Sequence, residues 1–353
     1  MRHHNNFDLL RLVLSWMVVG AHCVDLSGSQ ALHLIRWFAH SREAVEGFFA
    51  ISGCLIVASW DRSKSLADYF RKRAQRILPG YWLALGFCLV VGSFMTTLSL
   101  PAFWRSRETW QYIFYNLLFL NFKKPDLPGV FQHNFLTPAM NGALWTIKLE
   151  IGFYILVPLL AWFVRKINPF IVISTTFLLS IAFNLVFEHL GKPTLGKQLP
   201  GQLCFFMVGT AVYYYFNQFQ AHKQWMWALA LAATIAGSLT GWLFLEAVGI
   251  PLLVLCVAFL LPSYRGITRF GDFSYGTYVL HFPMVQMLIA LGFFSRTPFG
   301  AVSLVVLIVA ILSALSWFGV ERAFLRPTRL QQQESEVRKR STDKIDQPEL
   351  SSR

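Results

Sequence analysis

Long runs of apolar residues recur along nearly the whole of this 353-residue chain. A helix needs about 20 consecutive apolar residues to cross a hydrocarbon layer about 30 Å thick. The composition agrees with such crossings, because only 14% of the residues are charged, where soluble domains carry about a quarter. We therefore expect an all-α fold, a polytopic membrane helix bundle with no soluble domain.

Eleven segments are candidates to cross the membrane, and the fourth of them is short and rich in Tyr and Asn. Lys and Arg of short loops stay on the cytoplasmic side. If the fourth segment does not cross, most loop Lys and Arg face the cytoplasm, so we predict ten spans with both termini cytoplasmic. The candidates are Leu9–Val24, Ala44–Trp60, Trp82–Leu100, Trp110–Phe122, Leu144–Val164, Phe170–Phe187, Gln202–Phe216, Trp225–Leu245, Val248–Leu261, Phe273–Phe294 and Phe299–Val320.

The net charge and the cysteine content indicate which binding partners to expect. A net charge of +13 is compatible with nucleic-acid binding, but the basic residues lie in short loops and in the C-terminal segment, as in membrane proteins. We therefore expect a lipid bilayer and no nucleic acid as partner. The five cysteines form no C-x-x-C pair, which argues against a disulfide framework and a zinc site.

Charged and polar residues follow one face of the first candidate helix. Asp8, Arg11, Ser15, His22 and Asp25 are spaced by 3, 4, 7 and 3 residues, so they share a side at about 100° per residue. Asp8 and Arg11 alone would suit an interfacial ion pair, and His22 a boundary histidine. Because a charge near the bilayer centre costs about 2.5–3.5 kcal/mol, the alignment of all five favours a functional face.

A basic stretch precedes the third candidate span. Arg73 and Arg76 are three residues apart and face the same way on a short helix that Pro79 is expected to end. They are compatible with a simple positive-inside anchor. Two guanidinium groups on one face also bind phosphate oxygens bidentately, which would suit a donor such as coenzyme A.

Two later spans carry ionisable groups. Lys148 and Glu150 are two residues apart and point to different sides, whereas Glu150 and Tyr154 share a face. Glu150 either pairs with a charge on another helix, for which Arg11 is one candidate, or belongs to the functional site. His281 lies just before a proline, and we interpret it as a structural or supporting residue.

Together these segments resemble the acyltransferase-three family of bacterial integral-membrane O-acyltransferases. Lys148 is an unusual charge within its motif, and Ile151 stands where many members carry a second acid, so neither receives a role. The matching motifs are Asp8-Leu-Leu-Arg11 with His22, Phe48-Phe-Ala-Ile-Ser52-Gly53, Arg73-Ala-Gln-Arg76, Trp145-Thr-Ile-Lys-Leu-Glu150 and Ser274-Tyr-Gly-Thr-Tyr-Val-Leu-His281-Phe-Pro.

The resemblance implies acetyl-CoA or another acyl-CoA as donor and no metal. The implied acceptor is a glycan or lipid-linked saccharide such as O-antigen or exopolysaccharide, and glycan-assembly proteins are possible partners. It also implies the bacterial inner membrane. Residues 1–325 would form the acyltransferase membrane domain. Residues 326–353 are polar, with no apolar periodicity, and are expected to be a disordered cytoplasmic tail.

Specific roles follow as hypotheses. Arg73 and Arg76, assisted by Arg11, would hold the donor phosphates. His22 would act as general base for the acceptor hydroxyl, since histidine titrates near neutrality. Glu150 would either orient that imidazole or hold Arg11. A mechanism with an acyl-enzyme intermediate on His22 is an alternative to general-base catalysis.

Two other functions compete with the acyltransferase interpretation. Aligned intramembrane charges also suit a proton-coupled transporter or flippase of a glycan-assembly pathway, although the sequence has no inverted repeat. The second competing function is that of an inactive scaffold. Four candidate site residues argue against it, since the sequence retains His22, Arg73, Arg76 and Glu150.

Overall fold

Residues 5–264, 266 and 270–325 are described by the computed structural model. That part of the chain is mostly helical and contains no strand. Short 3-10 segments and one turn of π-helix at Trp317–Glu321 supplement the α-helices. The α-helices are α1 Phe7–Ser27, α2 Ser41–Asp61, α3 Leu66–Met95, α4 Leu100–Arg105, α5 Arg107–Leu117, α6 Trp145–Lys166, α7 Pro169–His189, α8 Pro193–Gly196, α9 Leu199–Tyr214, α10 Phe216–Ala221, α11 Lys223–Thr240, α12 Leu243–Leu260, α13 Ser274–Ala290, α14 Phe293–Arg296, α15 Pro298–Ser316 and α16 Arg322–Leu325.

The long helices confirm the predicted all-α polytopic bundle. Seven helical segments within the described ranges are long and apolar enough to cross a membrane. Three further predicted spans coincide with α9, α11 and α13, of 16, 18 and 17 residues. The fourth candidate falls largely on α5, whose 11 residues extend only about 16 Å. That segment is too short to cross, as predicted. The predicted tail, residues 326–353, lies outside the described residues.

Pro79 does not end a helix, so that expectation is wrong. α3 continues through it from Leu66 to Met95. A proline within a helix removes the hydrogen bond to the carbonyl four residues earlier, here that of Gln75, and membrane helices tolerate this loss where the surroundings compensate. Tyr275 packs against α3 at this point: its hydroxyl donates to the carbonyl of Ile77 at 3.0 Å, and Gly80 leaves room for its ring, which a Cβ would overlap. The basic stretch and the third span therefore form one continuous helix.

The centre of the bundle is α2, which packs against α1, α6, α9 and α12. Its closest approach is to α9, where Gly53 and Gly209 face one another's backbones. A Cβ on Gly53 would overlap the carbonyl oxygen of Phe206, and one on Gly209 would overlap that of Ala50. Small residues allow membrane helices to approach this closely and to gain packing energy. The predicted second-helix motif therefore includes a helix-packing glycine.

We expect Gly53→Ala to lower the thermal unfolding temperature in detergent. Separating two packed helices typically costs about 1–3 kcal/mol. Gly86→Ala on α3 is the matched control, because no described atom beyond its own chain neighbours and helix backbone lies within 4 Å of the Cβ it would add, and alanine favours a helix by up to about 1 kcal/mol. Equal unfolding temperatures for the two variants would contradict the close α2–α9 contact.

Candidate active site

A buried ion cluster joins the first turns of α1 and α13 to the N-terminal part of α3. One carboxylate oxygen of Asp272 accepts from Arg76 at 2.5 Å and pairs with Arg11 at 3.0 Å. Its other oxygen accepts from the Ser274 hydroxyl at 2.5 Å. Arg11 also pairs with the exposed Asp8. Asp8 and Arg11 do form the ion pair that their spacing would suit, but the buried partner of Arg11 is a carboxylate from the other end of the sequence.

Asp272 lies in the loop before α13, and two opposing effects set its ionisation. Burial raises the pKa of its carboxyl, but the guanidinium groups of Arg11 and Arg76 outweigh burial and hold the pKa well below its ordinary value. Asp272 is therefore a fixed negative charge at neutral pH.

One cavity opens beside this cluster, and we name it the arginine cavity. It holds about 100 Å³. No described carboxylate lies within ion-pair distance of Arg73, and its Nε has no hydrogen-bond partner in that part of the chain. The Arg73 guanidinium lies 5.6 Å from the centre of the Tyr154 ring. Lining side chains include Arg11, Arg73, Arg76, Glu150, Tyr154 and Tyr278.

Glu150 contacts neither of the groups proposed for it. Its carboxylate accepts from the Tyr154 hydroxyl at 2.6 Å, which confirms that these two residues share a face. Within the described ranges it forms no ion pair with Arg11 and no hydrogen bond with His22, because Asp272 binds Arg11 and His281 binds His22. Lys148 points away and donates to Gln198 at 2.8 Å.

His22 and His281 form a hydrogen-bonded pair between α1 and α13. Nδ1 of His22 lies 2.7 Å from Nε2 of His281, and Nδ1 of His281 lies 3.1 Å from the carbonyl oxygen of Thr277. A carbonyl only accepts, so Nδ1 of His281 donates to it, and its Nε2 then accepts from Nδ1 of His22. This order leaves Nε2 of His22 with a free lone pair. His281, interpreted from the sequence as a structural or supporting residue, is in direct contact with His22.

The predicted polar stripe of α1 divides in the structure. Ser15 is buried and donates to the carbonyl of Leu12 within its own helix. Asp25 pairs at 2.6 Å with Arg36 of the following 3-10 segment. Neither side chain lines the arginine cavity or the second cavity described next, whereas Arg11 and His22 each line one of the two.

A second cavity, the histidine cavity, lies on the other side of two shared side chains. It holds about 610 Å³ and is lined by His22, the start of α2, and the loops that precede α9 and α12. Val45 and Tyr278 line both cavities, and the Tyr278 hydroxyl is hydrogen-bonded to Thr146 at 2.9 Å. The two cavities therefore meet at a narrow partition between the arginine cluster and His22.

Residues 4–318 match the acyltransferase-domain family. The chain belongs to this family. It is an O-acyltransferase and a multi-pass membrane protein, as the resemblance implied. It is 29% identical to the O-acetyl transferase of Shigella phage Sf6 over 339 residues, covering 92% of this chain and 97% of that protein. It is 27% identical to nodulation protein 10 of Rhizobium leguminosarum bv. viciae over 369 residues, covering 92% and 94%. No solved structure matches it.

Two carboxylates of the O-acyltransferase that line or support the cavities were not predicted from the sequence. Asp272 precedes the late motif by two residues, and an acidic residue just before a helix start is a recognisable capping signal. Glu46 is a carboxylate within an apolar span, and its side chain is 4% exposed. Intramembrane acids of this kind signal a functional site. Neither signal identifies the partners, which lie on other helices.

We expect Asp272→Ala to destabilise the enzyme by about 3 kcal/mol, because two guanidinium groups then face each other without a counter-ion. Asp8→Ala is the matched control, since Asp8 also pairs with Arg11 but its side chain is 58% exposed. Its effect should stay below about 1 kcal/mol. Thermal unfolding in detergent at pH 7 measures both, and equal losses would contradict the central role of Asp272.

The stabilisation that Asp272 provides should decrease at acidic pH. The folded pKa of Asp272 is depressed, so its stabilisation is fully present above the unfolded pKa of about 3.9. It is lost as the pH falls through the lower folded value. The unfolding temperatures of wild type and Asp272→Asn should therefore differ constantly between pH 5 and pH 8 and converge only below about pH 4. Convergence above pH 5 would contradict the assignment.

Proposed function

We propose that this O-acyltransferase moves an acetyl or similar acyl group from acyl-CoA to a hydroxyl of a cell-surface glycan or its lipid-linked precursor. It would work in the bacterial inner membrane with both termini cytoplasmic. The observation that carries the proposal is the pair of cavities that meet at Val45 and Tyr278. One offers cations to a donor and the other offers a histidine to an acceptor. The O-acetyl transferase of Shigella phage Sf6, similar over 92% of this chain, supports an acetyl donor.

The donor phosphates would bind in the arginine cavity. Arg73 suits this role because none of the described carboxylates pairs with it and its Nε has no partner. Guanidinium groups bind phosphate oxygens in a bidentate manner, and such charge-assisted bonds are roughly twice as strong as neutral ones. Arg11 and Arg76 would add positive charge at the same wall, with Asp272 as their resident counter-ion.

Glu150 would position Arg73 rather than touch the reacting atoms. Its carboxylate fixes the Tyr154 hydroxyl at 2.6 Å, and the ring of Tyr154 lies 5.6 Å from the Arg73 guanidinium. A cation beside an aromatic face is stabilised by the ring's negative π surface. Glu150 therefore acts on the donor site through one intervening side chain.

His22 would be the general base of the transfer. Its Nε2 takes the proton of the acceptor hydroxyl as the oxygen attacks the thioester carbonyl, and the carbon–oxygen bond forms as the carbon–sulfur bond breaks. The proton then passes to the departing CoA thiolate, so an ester and free CoA result. His281 holds His22 in the required tautomer through the 2.7 Å bond between the rings, since a fixed Nδ1–H leaves Nε2 unprotonated.

The donor and base assignments predict separate losses. His22→Ala should lower kcat by about 10² or more. Arg73→Ala/Arg76→Ala should instead raise the KM for acetyl-CoA about tenfold or more, since bonds to charged groups contribute about 1.5–3 kcal/mol each. Radiolabelled acetyl-CoA, given to membranes that contain acceptor, measures both as alkali-labile label in the glycan fraction.

The control for the arginine pair is Arg71→Ala, because Arg71 lies on the same helix but is 57% exposed and pairs with Asp68. It should transfer normally. Acyl transfer that survives in the His22→Ala protein would contradict the assignment of His22 as the base. If the wild type produces no labelled glycan, acetyl-CoA is not the donor.

The tautomer assignment predicts a graded series at position 281. His281→Ala should lower kcat about 10²-fold with the acetyl-CoA KM unchanged, because His22 loses the acceptor that fixes its Nδ1–H. His281→Gln should recover part of the rate, since an amide oxygen also accepts from Nδ1–H. Glutamine and alanine variants of equal rate, with equal pH profiles, would contradict a positioning role.

A further inference from the structure

A three-residue cluster at the histidine cavity has no part in the mechanism described so far. Nε of Arg42 donates to Oε1 of Glu46 at 2.9 Å, one helical turn away on α2. The same guanidinium pairs with Glu246 in the first turn of α12. All three side chains line the histidine cavity together with His22. The cluster therefore faces the space beside the proposed base.

Glu46 carries an oxygen that nothing nearby satisfies. Its side chain is only 4% exposed, and Oε2 has no hydrogen-bond partner within the described part of the chain. A buried carboxylate is costly unless its oxygens are hydrogen-bonded, so such an atom in a native fold requires an explanation. Oε2 is itself buried but belongs to a residue that lines a cavity, so a hydroxyl group entering that cavity would supply the missing bond once the carboxylate rotates toward it.

The rest of the cavity wall suits a sugar. The amide nitrogens of Gln198, Gln202 and Asn184 already donate within the protein, so the amide oxygens of Gln202 and Asn184 are the acceptors they offer. Trp145 offers a flat apolar surface. Sugars present the complementary pattern, with hydroxyl groups around the ring edge and C–H groups on its faces. Small-molecule sites are cavities of about 300–1,000 Å³ in which a few polar groups fix orientation, and this cavity holds about 610 Å³.

The position of the cluster also suits the acceptor. Glu46 directly follows Val45, which forms part of the partition between the two cavities. A hydroxyl bound by Glu46 is thus held on the His22 side of the partition, opposite the arginines. We propose that the acceptor saccharide binds in the histidine cavity against the Arg42–Glu46–Glu246 cluster, where Oε2 of Glu46 accepts a sugar hydroxyl. This inference rests on the proposed function.

The test uses the full chain in nanodiscs, radiolabelled acetyl-CoA, and a titration of glycan extracted from the envelope of the producing bacterium. Glu46→Gln should raise the KM for the glycan about tenfold to a hundredfold, because it weakens a hydrogen bond to a charged acceptor. The affinity for CoA, measured separately by equilibrium binding, should stay unchanged. Glu43→Gln is the matched control, since Glu43 lies one turn earlier on α2 with its side chain 39% exposed, and it should behave as wild type.

The outcomes distinguish a failure of the proposed acceptor site from a failure of the proposed function. A glycan KM for Glu46→Gln equal to that of Glu43→Gln, with active wild type, would overturn the acceptor site and leave the cluster as a clamp between α2 and α12. Wild type that binds CoA but labels no glycan would instead overturn the proposed function. If Glu46→Gln also loses CoA binding, its fold is lost. Glu246→Gln, whose side chain is 15% exposed, then decides by the same comparison.

Discussion

The carboxylate of Asp272 is the interaction on which the arrangement of the site depends. It joins α1 and α3 to the start of α13 through two arginines, in a place where few solvent molecules screen the charges. Further along, His22 near the end of α1 meets His281 in the middle of α13. Because α1 and α13 are joined at two levels, their relative register is fixed. The proposed donor-binding cations and the proposed base are consequently held at a constant separation.

A separation of this kind suits group transfer between two substrates that differ in charge. The phosphates of an acyl-CoA require cations, whereas a glycan hydroxyl requires a base and hydrogen-bonding groups. A single open cavity would expose the thioester to water as a competing acceptor. The partition of Val45 and Tyr278, with Tyr278 hydrogen-bonded to Thr146, keeps the two cavities distinct while leaving them in contact.

Some polar side chains of this bundle are paired within the protein, whereas a few keep an unpaired atom on a residue that lines a cavity. Asn6 is of the first kind, because its side chain bonds to backbone groups just after the end of α12. Ser15 and Asp25 also have local partners. Nε of Arg73 and Oε2 of Glu46 have none among the described groups, and both residues line a cavity. Since leaving a buried polar group unpaired is costly, these positions are where a ligand would contribute most.

The class of fold, and many of the residues that line the two cavities, could be predicted from the sequence. Apolar run length fixes how many helices can cross a bilayer, and the motifs around His22, Arg73 and Arg76 lie within single helices, where spacing predicts which residues share a face. The tertiary structure alone decided the partners. Asp272 binds Arg11, and His281 binds His22, across more than 250 residues of sequence. Helical periodicity describes one helix at a time, whereas such pairings depend on how separate helices pack.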